Sequence, residues 1–163
     1  MSALRRAAVR EALLRNGEDT ALAEPAFDVF FEHRMRVELY ADALPALAFL
    51  ASRYPVIAVS NGNADVGRIG IGAHFKGDVS AHLLGVAKPD PRIFHAAAQA
   101  AGVAPHEVLH VGDDPALDVL GGLAAGMQTV WVNREGRDWC HDAQPHASVQ
   151  DLQQLCVLLG QAA

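Results

Sequence analysis

The sequence lacks an excess of positive charge, and this absence limits the classes of partner that the protein can be expected to bind. Its 13 Lys and Arg residues stand against 19 Asp and Glu residues, and the formal net charge is -6 at pH 7. Nucleic-acid backbones and anionic membrane surfaces attract clustered cations, so neither is an expected partner. We therefore expect a protein that acts on small molecules or on other proteins.

Cysteines are few, and long apolar runs and a signal-peptide core are missing. Cys140 and Cys156 have neither CxxC spacing nor the density of a secreted disulfide scaffold. No apolar stretch approaches the roughly 20 residues that span a bilayer, and residues 1–19 carry charges throughout. These absences predict a soluble, cytoplasmic protein.

The sequence does contain enough apolar material for one domain, since 51% of its 163 residues are hydrophobic. Helix formers dominate two stretches at the front, and Gly17 ends the first of them. These helices are expected at about 2–16 and 21–37. After Asp42, helices alternate with short apolar runs.

The short apolar runs are typical of buried parallel strands, because they are rich in β-branched residues and stop at polar or glycine turns. Strands are expected at 55–59, 108–111 and 129–132, with a weaker one near 78–80. Helices are expected at 43–54, 63–73, 89–101, 115–125 and 149–159. Asp90 and Pro91 mark the start of the third of these helices. The alternation predicts an α/β fold with a Rossmann-like, doubly wound parallel sheet, in which ligands bind at the carboxyl ends of the strands.

Polar residues follow two of the expected strand ends. Ser60, Asn61 and Gly62 offer a hydroxyl and the N–H groups of a glycine turn, which together can hold anionic oxygens; an ordinary turn is the alternative. Lys88 precedes Pro89, which favours an extended backbone and fixes a long cation at the mouth of the sheet. A plain surface lysine is the alternative there.

Carboxylates cluster in the sequence HVGDDPALD, where a strand ends and the next helix begins. Asp113 and Asp114 lie in the turn, and Asp118 follows in the first turns of the helix. Clustered carboxylates repel one another unless a cation or a buried donor offsets them, and oxygen ligands suit Mg²⁺. Asp114 precedes Pro115 and is explained by helix capping, whereas Asp113 and Asp118 are the stronger metal candidates.

Three segments together resemble a known family. SNGN at 60–63, GVAKPDPRIF at 85–94 and HVGDDPALDVLGGLAAGMQTVWVNREG at 110–136 are similar to the second, third and fourth motifs of the haloacid dehalogenase-like superfamily. In their detailed residues, these motifs are most similar to those of a bacterial subgroup with a helical cap, which hydrolyses small phosphomonoesters such as flavin mononucleotide. The resemblance implies a partial helical cap at 1–40, a core at 41–163 and a small phosphorylated metabolite as substrate.

The resemblance also implies roles for the polar residues. Ser60 would bind a transferring phosphoryl oxygen and Lys88 would steady its charge. Asp113 would ligate Mg²⁺, and Asp118 would support the metal site directly or through water.

One motif of the family is missing. Its members open with an apolar strand that ends in a DxDxT-type sequence, whose first Asp attacks phosphorus and whose second handles the leaving-group proton. The nearest match here is Asp28, but Phe30 occupies the second carboxylate position and no threonine follows. Without a positioned nucleophile the isolated chain is expected to be a poor phosphatase.

The missing strand would be the central one, between 55–59 and 108–111, and its loss leaves unpaired strand edges. These two strands could pair directly, a second copy could lend a segment by swapping or dimerisation, or the chain could be a fragment of a longer enzyme. We expect a fragment, with an abnormal sheet or an oligomer.

Two function classes follow. The first is a magnesium-dependent phosphomonoester hydrolase by lineage, inactive or incomplete alone; the second is a non-catalytic phosphate-binding or protein-interaction module. A response-regulator-like receiver domain would need a phospho-acceptor Asp at another strand end, and the sequence shows none.

Overall fold

The computed structural model describes residues 2–161 and begins with a pair of helices. Helix α1 spans Ser2–Arg15 and α2 spans Ala23–Met35, as the two helical stretches predicted. Gly17 takes a left-handed φ of 71° after α1. Phe27 is buried between the helices, with the guanidinium of Arg6 lying 4.1 Å from its ring centroid. The outermost positions of the predicted cap and core, 1 and 162–163, lie outside the described residues.

The rest of the described chain alternates between helices and strands. The strands are β1 (Ile57–Ser60), β2 (Gly77–Ser80), β3 (Leu109–Gly112), β4 (Gln128–Val132) and β5 (Ala147–Val149). The helices are α3 (Ala43–Ala51), α4 (Val66–Ile69), α5 (Ala81–Leu84), α6 (Pro91–Ala101), α7 (Gly121–Ala124) and α8 (Leu152–Leu158). Short 3-10 turns lie at Thr20–Leu22, Gly72–His74 and Pro105–Glu107, and a π-helical segment lies at Pro115–Leu120. The predicted α/β class with parallel strands is confirmed.

The strands form two separate parallel sheets. β1 pairs with β2, and β3, β4 and β5 pair in that order. Within residues 2–161 no ladder joins β1 to β3. The idea that these two strands close up and pair directly is therefore wrong for this structure. Each keeps a main-chain edge without a strand partner on its second side.

One helix covers both sheets from the same side. Ile93 and Phe94 of α6 are completely buried. Their cluster also takes in Val59 of β1, Val79 of β2 and Val108, which precedes β3. Helix α6 therefore holds β1 and β3 in one layered arrangement although the two strands share no hydrogen-bond ladder.

The opposite side of the larger sheet packs against the C-terminal helix. Val130 and Val132 of β4 and Val149 of β5 share a buried cluster with Leu155 of α8. Helices thus lie on both faces of the sheet, which is the doubly wound arrangement. No helix among the described residues is long and apolar enough to cross a bilayer.

Three predicted elements differ from the structure. The expected helix at 63–73 is only the four-residue α4, because Gly70 ends it with a left-handed φ of 91°. The expected helix at 115–125 begins as a π-helical segment before α7. The tail helix starts after the N-cap Asp151 and not at 149, since residues 147–149 form β5, which the sequence analysis missed.

Candidate functional site

A buried ion pair joins two of the predicted site residues. Lys88 Nζ lies 2.6 Å from Asp118 Oδ1, and the two side chains are 13% and 5% exposed. His110 Nε2 lies 3.0 Å from the same oxygen, and the Asp114 N–H donates to Asp118 Oδ2 at 3.2 Å. Both carboxylate oxygens of Asp118 thus have partners, which a buried charge needs in order to remain ionised.

The pKa of Asp118 reflects these partners. Burial raises the pKa of the carboxyl, but the hydrogen bonds and charges of His110 and Lys88 outweigh it and lower the pKa to about 2. Asp118 is therefore a carboxylate at neutral pH. Its negative charge holds the Lys88 ammonium at a fixed point.

A glycine makes room for this carboxylate. Residues 110 and 112 face the same side of β3, because side chains alternate along a strand. A Cβ on Gly112 would lie 2.2 Å from Asp118 Cγ, far inside contact distance. The absent side chain at 112 lets Asp118 fold over the strand end, and His110 on the same face reaches it.

This close approach yields a testable prediction. Replacing Gly112 with Ala should lower the free energy of unfolding by about 1–3 kcal/mol, because the added methyl overpacks a site where a buried carboxylate must move. Urea denaturation followed by circular dichroism measures the change. Gly77→Ala is the matched control, since a Cβ there meets Ile57 Cδ1 at an ordinary 3.7 Å. Equal effects from the two substitutions would contradict the steric account.

Asn61 holds the backbone of Lys88 from both sides. Its Nδ2 donates to the Lys88 carbonyl at 2.9 Å, and the Lys88 N–H donates to Asn61 Oδ1 at 2.7 Å. The Lys88–Pro89 peptide bond is cis. The turn after β1 is thereby tied to the lysine loop, and Asn61, Lys88 and Asp118 form one continuous hydrogen-bonded chain.

Ser60 ends β1 beside that chain. Its Oγ accepts the Gly62 N–H at 2.9 Å, which shapes the turn. A hydroxyl that accepts one bond still has its own proton to donate. Ser60 can therefore donate a hydrogen bond to an anionic oxygen at the same strand end.

Asp113 and Asp114 take different positions. Asp114 caps the π-helical segment, accepting from the N–H groups of Ala116 and Leu117 at 2.9 and 2.8 Å. The Asp113 side chain is exposed. The Asp113 carbonyl accepts one hydrogen bond from Trp131 Nε1 at 3.0 Å and another from Arg137 Nη2 at 3.1 Å. Asp113 is thus held by its main chain while its carboxylate stays available.

A cavity of about 390 Å³ adjoins Asp113. Val111, Gly112 and Val132 line it from the sheet, and Tyr40 and Arg134 line it from the loops. Ser60, Lys88 and Asp118 do not line this cavity. Lys88 therefore contacts Asp118 directly and is linked to the turn after Ser60 through Asn61. Asp113 lies instead beside a separate cavity, which these three residues do not line.

The donor set fits part of a magnesium site. Mg²⁺ prefers oxygen ligands and usually keeps several waters, with one or two carboxylates from the protein. The exposed Asp113 carboxylate matches that preference, whereas the oxygens of Asp118 are already engaged by Lys88, His110 and a main-chain N–H. Among residues 2–161 no group of three His, Cys, Asp or Glu side chains is placed to hold a metal. Asp113 can serve as one ligand, whereas the Asp118 carboxylate is paired with Lys88.

His110 is the site residue that the sequence analysis did not assign to the site. It is buried, with its ring 4.9 Å from that of Phe94 in an edge contact. Its Nε2 nevertheless contacts the Asp118 carboxylate. The signal was its spacing two residues before Gly112, which puts both on one face of the strand.

The chain matches known proteins along most of its length. The family model for haloacid dehalogenase-like hydrolases matches residues 2–126. A phosphoserine phosphatase from Thermus thermophilus is 38% identical over 152 residues, which cover 90% of this chain and 61% of the relative. The 5-amino-6-(5-phospho-D-ribitylamino)uracil phosphatase YigB of Escherichia coli is 33% identical over 156 residues, which cover 93% of this chain and 66% of the relative.

Solved structures give the same picture. A 2-haloacid dehalogenase from Pseudomonas syringae pv. Tomato superposes with a TM-score of 0.91 at 38% identity, covering 97% of this chain and 70% of that one. Of the two phosphatases described above, the chain covers less than two thirds of each relative's length.

Proposed function

Because this chain belongs to the haloacid dehalogenase-like hydrolases, we propose that its strand-end cluster is the phosphate-binding half of a magnesium-dependent phosphomonoester hydrolase site. Lys88, held 2.6 Å from Asp118 and anchored by Asn61, is the observation that carries the proposal. The two phosphatase relatives described above support phosphate chemistry. The helical pair of residues 2–40 would be part of the cap, and 41–161 would belong to the core.

In this proposal the residues act by positioned charge. The Lys88 ammonium has three N–H donors, of which one is directed at Asp118, so two remain for phosphoryl oxygens. Ser60 and the N–H groups of the turn at Asn61 and Gly62 would donate to the same group. Donors that are fixed before the reaction stabilise developing charge without a reorganisation cost. Asp118 keeps Lys88 charged and in place.

Magnesium would bind at Asp113. When bound, the ion offsets negative charge on the transferring phosphoryl group. Fixed by its main-chain contacts to Trp131 and Arg137, Asp113 offers an exposed carboxylate for this purpose. Asp114, occupied as a helix cap, is the weaker candidate ligand.

The nucleophile would come from an added strand. The sequence contains no DxDxT segment, and among residues 2–161 β1 and β3 each have one edge without a strand partner. We propose that an apolar strand carrying the nucleophilic Asp inserts between them, supplied by a longer form of the protein. A second copy could lend a strand but, having the same sequence, not the DxDxT segment. The substrate would be a small phosphorylated metabolite of the cytoplasm.

A non-catalytic phosphate-binding module is the second candidate. The missing nucleophile favours it, because Ser60, Lys88 and Asp118 are matched to charge stabilisation and cannot displace a leaving group in line. Without an added strand the chain would bind phosphate and release it unchanged.

Binding of orthovanadate in the presence of Mg²⁺ tests the shared premise of both candidates. We expect Lys88→Met to weaken binding at least about tenfold, since a hydrogen bond to a charged group contributes about 1.5–3 kcal/mol. The matched control is Lys76→Met, because the Lys76 ammonium donates to the Ala101 carbonyl at an exposed position before β2. Isothermal titration calorimetry measures the affinity of both variants for orthovanadate.

The outcomes separate the possible functions. Unchanged vanadate binding by the Lys88 variant would contradict the proposal. Steady release of phosphate from p-nitrophenyl phosphate by the unmodified chain would favour the enzyme without an added strand. Release of chloride from 2-chloropropionate instead would point to the chemistry named for the Pseudomonas relative.

A further inference from the structure

The arginines of the helical pair divide into paired and unpaired groups. Four of those on or beside the pair have carboxylate partners: Arg6 and Arg10 with Glu24, Arg15 with Glu11, and Arg68 with Glu32. Arg5, Arg34 and Arg36 have no ion-pair partner among the residues that the structure describes. Three cations are thus left without local neutralisation in a chain whose net charge is negative.

Arg5 and Arg34, two of these three arginines, reach the turn that follows β1. An ideal Cβ on Gly62 would lie 3.1 Å from Arg34 Nη2 and 3.2 Å from Ser60 Oγ, so guanidinium and hydroxyl flank a single point. Arg5 Nη1 donates to Asn63 Oδ1 at 3.4 Å, and its guanidinium also lies 5.3 Å from the Phe30 ring centroid. The helical pair therefore brings two positive charges to the 60–63 turn.

Close contacts with neighbouring side chains account for the glycine at position 62. Its φ is not among the left-handed values in the chain, so its backbone conformation does not require glycine. A side chain there would press on both the Arg34 guanidinium and the Ser60 hydroxyl. The missing side chain keeps Arg34 in contact with the turn.

We infer that Arg34, assisted by Arg5, recognises a second anionic group on the substrate, at the end that does not react. A planar guanidinium binds a carboxylate or a phosphate with two parallel hydrogen bonds, and since Lys88 and Ser60 serve the phosphoryl group, we assign the carboxylate to Arg34. The inference rests on the proposed phosphate site, where Lys88 and Ser60 already serve the phosphoryl group. Arg34 belongs to the helical pair and not to the strand-end cluster, yet its guanidinium lies beside the Gly62 turn, so it is placed for the remainder of the molecule. The preferred ligands would be small phosphorylated acids.

Two ligands of similar size test this inference. 2-Phosphoglycolate carries a phosphate and a carboxylate, whereas ethyl phosphate carries the phosphate alone. We expect the unmodified chain to bind 2-phosphoglycolate about tenfold more tightly, and Arg34→Gln to abolish that preference while ethyl phosphate binding stays within about twofold. Arg34→Lys should restore part of the preference, because it keeps the charge but loses the paired donors.

Arg36→Gln is the matched control. Arg36 is exposed, lies two residues further along and has no contact with the turn among the described residues, so both affinities should remain unchanged. Equal loss of both ligands in Arg34→Gln would overturn the inference, because Arg34 would then serve the phosphoryl group itself. No loss of either would also overturn it. Failure of the unmodified chain to bind either ligand would reject the proposed phosphate site, and the inference with it.

Discussion

A peptide strand that ends in a DxDxT sequence should turn this chain into an active phosphatase when it is added in trans. We expect phosphate release from p-nitrophenyl phosphate with Mg²⁺ to rise by at least about 10³-fold, because a positioned nucleophile converts binding into chemistry. Within the part of the chain that the structure describes, β1 and β3 each have an edge with no strand partner, and both strands end at the proposed phosphate site. A parallel strand between them would gain main-chain hydrogen bonds on both sides.

Two control peptides separate insertion from catalysis. A peptide with Asn at the first Asp position should bind and raise the thermal unfolding midpoint, yet produce no turnover. A scrambled peptide of the same composition should do neither. Asp113→Ala in the chain should remove the turnover gained with the intact peptide, since Asp113 is the proposed metal ligand. If the intact peptide stabilises the chain but releases no phosphate, the non-catalytic module is the better description.

Size-exclusion chromatography with light scattering addresses the other source of a strand. A second copy that lends a segment would give a dimer that unfolds in one concentration-dependent step. A cooperative monomer would count against swapping and leave a longer form of the protein as the source of the strand.

The strands that could be predicted from the sequence are those with strong local signals. Residues 108–111 and 129–132 are apolar, β-branched and bounded by glycine or polar turns, and the structure places β3 and β4 there within a residue. Helix α6 was predicted from Asp90 and Pro91, and Asp90 accepts the Arg92 N–H as its N-cap. β5 was missed because it has only three residues and draws its stability from pairing with β4.

The candidate site residues were predicted from the sequence, but their contacts could not be. Lys88 and Asp118 are 30 positions apart, and their contact depends on the space left by Gly112 and on the clamp from Asn61. Arg34 carries no motif at all. It becomes visible as a site candidate only when the fold brings the end of α2 over the turn after β1. Such contacts are tertiary, and local patterns contain no information about them.

Replacing Lys88 with Met should be among the most destabilising single changes in the chain. Removing one partner of a buried ion pair leaves an uncompensated charge, which typically costs about 3–5 kcal/mol. His110 stays beside Asp118 and reduces the loss, so we expect a decrease of about 3 kcal/mol in the free energy of unfolding at pH 7. Lys76→Met should change it by less than about 0.5 kcal/mol, as exposed substitutions usually do. Urea denaturation compares the two.

The pH dependence of stability identifies the responsible group. The pKa of Asp118 is about 2 in the folded chain, below its ordinary 3.8. The stabilisation that accompanies this lowered pKa is full above pH 3.8 and is lost as the pH falls towards 2. That loss amounts to about 2 kcal/mol in the unmodified chain. In Lys88→Met the Asp118 carboxylate lacks its ammonium partner, so the folded-state pKa of Asp118 rises and the loss of stability at acid pH becomes smaller.

Lys88→Met combined with Asp118→Asn replaces the charged pair by neutral side chains of similar size. This double variant should recover at least half of the free energy of unfolding that Lys88→Met loses at pH 7. If the double variant is as unstable as Lys88→Met, the cost lies in lost packing of the lysine stem and the uncompensated charge of Asp118 is not its cause.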